Sequence, residues 1–73
     1  MSNFGAAQDL TQSDSSVDSF NWLMVTTTGG SVIIDQVGGN QTTLSAVPVG
    51  AWVPVGNAIR VRTASTAVGI MVS

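Results

Sequence analysis

Chemistry in this chain must come from a short inventory of side chains. The ionisable groups are Asp9, Asp14, Asp18, Asp35, Arg60 and Arg62, and there is no His, Cys, Lys, Glu or Tyr. Paired carboxylates can run glycoside hydrolysis when a rigid scaffold fixes their spacing. Asp9, Asp14 and Asp18 instead fall in a polar N-terminal stretch, where turn and cap roles are expected. The step Ser13-Asp14-Ser15-Ser16 could also present oxygens to calcium, the weaker reading of the same residues. A Ser or Thr hydroxyl needs a base to become a nucleophile, and the side chains that usually serve are missing. Zinc and haem lose their usual imidazole and thiolate ligands. The expectation is a non-enzymatic chain with no cofactor and no metal.

The remaining distinctive side chains suit binding. Trp22 and Trp52 could stack on sugar rings, but an aromatic in an apolar strand is more often a core or interface anchor. Arg60 and Arg62 alternate with Ile59 and Val61, which puts both arginines on one stripe and the two aliphatics on the opposite, inner one. That stripe either faces water or pairs across a subunit boundary with Asp35 or the N-terminal aspartates. Gly38-Gly39 has no Lys beside it and no helix pattern after it, so it is not a phosphate loop. Met1-Ser2-Asn3-Phe4-Gly5 shows neither a basic nor an apolar signal-peptide region, so the sequon Asn40-Gln41-Thr42 is read as coincidence.

The elements that position these residues divide the chain in two. Residues 1–19 read as an N-terminal arm with few large apolar side chains, either disordered or, as expected here, extended and docking the isolated Phe4 and Leu10 on a neighbouring subunit. Residues 20–73 form a β domain rich in Val, Ile and Thr, with no period of 3.6. The spacing predicts strands at about 20–27, 31–37, 41–47, 51–55, 57–63 and 67–72. The fold class is all-β, a small antiparallel sandwich or barrel of about six strands. Thr28-Gly29-Gly30 and Gly38-Gly39-Asn40 are expected to make tight hairpins with φ > 0. Gly56-Asn57 is a further turn signal, and Pro54 places its segment at an edge or bend. Alternation sets Trp22 and Met24 against Leu23 and Val25, and Val32 and Ile34 against Ile33 and Asp35. Several strands are thus apolar on both faces, one for the subunit's own core and one for a neighbour.

Composition makes self-association the expected state. At 73 residues the chain buries only roughly 60% of its unfolded surface, a marginal amount without disulfides, metal or partners. Only 8% of residues are charged, against roughly 25% in ordinary domains, and mean hydropathy is +0.38. No run approaches ~18 apolar residues, so a membrane helix is not expected. A net charge of −2 with two arginines argues against nucleic acid. The interface candidates are therefore Phe4, Leu10, Trp22, Trp52, Arg60 and Arg62.

One stretch carries a family likeness. Ser45-Ala46-Val47-Pro48-Val49-Gly50-Ala51-Trp52-Val53-Pro54-Val55, followed by Ile59-Arg60-Val61-Arg62-Thr63-Ala64-Ser65-Thr66-Ala67, resembles the head spike base proteins of gene transfer agents and tailed phages. These often hold an Ala-Val-Pro-Ala-Gly stretch, an apolar-Pro-Val step, and an Arg-Val pair before a Thr/Ala-rich turn. Ser13-Asp14-Ser15-Ser16 and Gly29-Gly30 resemble the family's early Ser-Asp step and first Gly-rich turn, so the likeness covers about residues 11–73. Trp52 and Ser65 depart from it, standing where a small or aliphatic residue and a Gly are usual. The resemblance implies a β-structured virion subunit that assembles in the host cytoplasm. It would sit as a symmetric homo-oligomer on the capsid surface, bound to the major capsid protein and a spike or fibre. Alternatives are a cement protein at local three-folds, a head–tail or tail-associated component, or, in another class, a small carbohydrate-binding module using Trp22 and Trp52.

Overall fold

A computed structural model describes residues 7–73, and Phe4 lies outside the described residues. The chain is all-β, with strands β1 (Gln8–Leu10), β2 (Phe20–Thr28), β3 (Gly30–Gln36), β4 (Gln41–Val47), β5 (Val53–Val61) and β6 (Val68–Val72). They form one six-stranded sheet in the order β1-β6-β2-β5-β3-β4, antiparallel throughout. No second sheet packs against it among the described residues, so the sheet curls over its own inner face. That face is one cluster drawn from five strands, including Phe20, Leu23, Val25, Val32, Ile34, Val47, Val61, Ile70 and Val72.

Two bulges decide which side chains reach this core. The backbone N–H groups of Asn21 and Trp22 both donate to Ser73 O, each at 3.0 Å. Two successive donors on one acceptor insert an extra residue in β2. Phe20 and Leu23, three apart, therefore both point inward, while Trp22 is left outside. In β5, Asp35 pairs with Arg60 and Gln36 with Ala58, so Ile59 is the extra residue. Ala58 and Val61 are both fully buried and Ile59 only partly. The expected inner pairing of Ile59 with Val61 is thus corrected, because the bulge resets the alternation between them.

Four other expectations change. The strands expected at 51–55 and 57–63 are one strand, β5. Gly56 and Asn57 do adopt left-handed φ of 43° and 56°, but they make a kink within β5, where four residues span two of β2. Thr28-Gly29-Gly30 is not a hairpin, since β5 lies between β2 and β3 in the sheet. Its glycines serve close approach: a Cβ on Gly29 would meet Val47 O at 2.8 Å, and one on Gly30 would meet Ala67 N at 3.0 Å. The described part of the expected arm, residues 7–19, lies on its own sheet: β1 pairs with β6, and Ser13 N and Asp18 N donate to Val61 O and Ile59 O, both at 2.8 Å. It runs along the stretch of β5 that β2 leaves unpaired, which satisfies backbone acceptors that would otherwise be open. Gly38-Gly39-Asn40 does join β3 to β4 as a hairpin. Pro54 sits where β5 pairs with β2 alone, a local edge that spares its missing N–H.

Candidate functional site

The outer face of the curled sheet has two halves of different chemistry. One half gathers charge. Asp35 lies on β3 opposite Arg60 of β5, and the cross-strand register brings their side chains together. Arg60 Nη1 donates to Asp35 Oδ2, Arg62 Nε lies 3.2 Å from the same oxygen, and Gln41 Nε2 donates to Asp35 Oδ1 at 3.0 Å. The N-terminal segment covers this cluster. Arg60 Nε donates to Ser16 O at 2.7 Å and Arg62 Nη1 to Asp14 O at 3.1 Å. The Asp14 carboxylate accepts from Thr63 N at 3.1 Å and Thr63 Oγ1 at 2.8 Å. Ser13 Oγ accepts from Ser15 N and Ser16 N, which folds 13–16 into the turn that delivers those carbonyls.

Both arginines therefore find carboxylates within their own chain. The expected pairing of Asp35 and Asp14 with these arginines is seen, but inside one subunit, because the segment returns along β5. Gln41 and Thr63 were not singled out from the sequence. Both are neutral; Gln41 reaches Asp35 across the β3–β4 hairpin, while Thr63 lies far along the chain from Asp14.

These contacts hold both carboxylates ionised. Asp35 is lowered below the ordinary carboxylate range, first by Gln41, then by the Arg60 hydrogen bond and the two guanidinium charges, against an opposing effect of burial. Asp14 is lowered mainly by the two Thr63 donors, with a smaller help from Arg62. A depressed folded-state pKa gives stability that is complete above the unfolded value, about 3.9, and is lost as pH falls through the lower folded one. We expect the thermal midpoint to drop as pH is taken from about 4 to 2, with a weaker drop in Asp35→Asn. Circular dichroism melts across that range check it; equal slopes in the two proteins would show that Asp35 does not govern acid stability.

The other half is apolar and uncovered. Trp22 and Met24 project outward from β2, Met24 opposite Met71 of β6 and Trp22 opposite Pro54 of β5. Trp22 is 47% and Trp52 42% exposed, so neither is the core anchor that was one expected role. With Ser73 they line a shallow open recess. Outside the charged half, the sequence-derived alternation of Trp22 with Met24 holds; Pro54, Met71 and Ser73 join them only through strand pairing. Leu10, expected at a neighbour, is partly buried against its own core.

No protein-family model, curated protein or solved structure matches this chain.

Proposed function

We propose that the chain is a non-enzymatic structural subunit of a phage virion, a capsid decoration or vertex spike-base protein acting as a symmetric homo-oligomer. The observation that supports this reading is the outer apolar half: two half-exposed indoles beside Pro54, Met24 and Met71 on a chain that is only 8% charged. Aromatic and Met side chains are what interface cores enrich and charged residues what they lose. Here the arginines are drawn away to Asp35 and Asp14, which leaves this half free to be covered. The mechanism is burial and geometry. The subunit offers a rigid β face to copies of itself and to the major capsid protein, and supports a spike or fibre above the capsid surface. The likeness of residues 45–67 to spike base proteins agrees with that placement. A cement protein at local three-folds, or a head–tail component, would use the same face.

Sedimentation velocity of the purified chain at low micromolar concentration is expected to give one discrete oligomer with β-type circular dichroism. A folded, stable monomer overturns the reading. Trp22→Ser and Trp52→Ser should both keep the β spectrum, since neither indole is in the core. Each should weaken association with the capsid or with other copies by about 2 kcal/mol or more if it is a central anchor.

The recess between Trp22, Trp52 and Ser73 favours one second reading, a carbohydrate-binding module in which the indoles stack on a sugar. A glycan array probed with the purified protein separates the two. Binding that disappears with either Trp→Ser variant would support the sugar module.

A further inference from the structure

The sheet ends in two edges that are guarded differently. β1 is three residues long and carries Asp9. β4 is seven residues, Gln41-Thr42-Thr43-Leu44-Ser45-Ala46-Val47, with no charge and no Pro. Exposed edges are normally blunted by Lys, Pro, inward charges or a covering segment, because their unpaired N–H and C=O groups recruit other strands. Among the described residues β4 has β3 on one side and no strand on the other. Its irregularity is at Ala46, with φ of 54°, where an extra residue enters between the partners of Val32 and Gly30. The regular part is therefore 41–45.

Ladder parity shows which backbone groups are left over. Gln36 N donates to Asn40 O at 2.7 Å, so these two residues form a hydrogen-bonded position. Hydrogen-bonded and non-hydrogen-bonded pairs alternate along an antiparallel ladder. Ile34–Thr42 and Val32–Leu44 are then the hydrogen-bonded pairs, and the N–H and C=O of Gln41, Thr43 and Ser45 turn away from β3.

We propose that β4 is a seam between two copies of this chain, pairing antiparallel with its counterpart about a two-fold axis through Thr43. The inference rests on the homo-oligomeric reading above and adds its contact and register. Thr43 faces Thr43, Thr42 faces Leu44, and Gln41 faces Ser45. The outward backbone groups of all three positions meet partners of the right kind, and the two sheets become one. Charge selects the occupant. A two-fold seam sets a strand against itself, so any charged residue at its centre would face its own like charge. β4 has none, and it offers a Thr–Thr cross-strand pair, a favourable combination. Two β1 strands joined the same way would centre on Asp9 against Asp9, and a β1–β4 junction would engage only three residues of β1.

The chain has no cysteine, so Thr43→Cys introduces its single thiol. Hydrogen-bonded antiparallel partners have Cα atoms ~5.5 Å apart, within the ~4.4–6.8 Å that a disulfide spans. Val37→Cys is the control: Val37 is 64% exposed at the β3–β4 turn, and the proposed axis puts its two copies far apart. Under mild oxidation at low micromolar concentration, Thr43→Cys should form a covalent dimer at least about ten times faster than Val37→Cys, because the seam raises the local thiol concentration. Thr43→Pro removes an outward N–H without touching the β3 ladder. It should lower the sedimentation coefficient while keeping the β spectrum; if it does not fold, the cross-linking comparison decides alone. Equal cross-linking of the two cysteine variants in an oligomeric protein overturns the seam and leaves the homo-oligomeric reading standing. A monomeric wild-type chain overturns both.

Discussion

A chain carrying Phe20→Ala is expected to lose most of its thermal stability. Phe20 has no exposed surface and is the largest fully buried side chain among the described residues. It reaches the core through the β2 bulge and pairs with Ala58, beside the kink of β5. Truncating a buried Phe to Ala costs about 3–5 kcal/mol. Total stability at ~0.05–0.15 kcal/mol per residue amounts to about 4–11 kcal/mol for this chain. At ~4–8 °C per kcal/mol the midpoint should fall by roughly 12–40 °C. A circular dichroism melt measures it directly, and a fall of only a few degrees would mean that the core closes without this ring. On the proposed homo-oligomeric reading, assembly would fail with it, since the outer face is held in place by the same strand.

Gly69→Ala should be the next most damaging change. Gly69 lies inside β6 with φ of 77°, a region that costs an L-residue about 1–2 kcal/mol. An added Cβ would also run into Thr26 Oγ1, Thr27 Oγ1 at 2.6 Å and the Thr27 backbone nitrogen at 3.1 Å. Such overpacking adds about 1–3 kcal/mol, for a total of roughly 2–5 kcal/mol. Gly50→Ala provides the comparison, because Gly50 has a similar φ of 86° with open space where the Cβ would go. It should show the dihedral cost alone. Urea midpoints for the two variants give the difference; identical losses would refute the crowding at β6. The functional consequence of Gly69→Ala follows from β6 carrying Met71 and leading to Ser73, both part of the outer face. Under the proposed function, displacing this strand should weaken association as well as stability.

Much of the strand content was legible because alternation is local. Val32, Ile34 and the pair Leu23 with Val25 are inward, as a period of two places them, and Trp22 with Met24 is outward. The hairpin at Gly38-Gly39-Asn40 needed only residues that tolerate φ > 0. Alternation misled where an extra residue entered: Ile59 was set beside Val61, and the bulge separates them. Gly56-Asn57 reads as a turn, but a kink within a strand uses the same left-handed conformations, so the pattern divides one strand into two. At Gly29 and Gly30 the glycines were legible and their reason was not, because close approach to Val47 and Ala67 depends on strands far along the chain.

For the outer face the division is the same. Composition by itself determined which side chains were present to do chemistry, that charge would be scarce, and that the strands would be β-branched and apolar on both sides. Tertiary structure decided how the few charges are used. The return of residues 13–18 along β5 puts Asp14 and the Ser16 carbonyl against Arg62 and Arg60, and strand order puts Asp35 between both arginines. It also decided that Trp22 and Trp52 meet at one recess with Ser73. A strand's pattern specifies which of its faces is buried, since each side chain's direction follows from its neighbours'. Which strands lie side by side depends on the lowest free energy of the whole sheet, and no short stretch of this sequence contains that information.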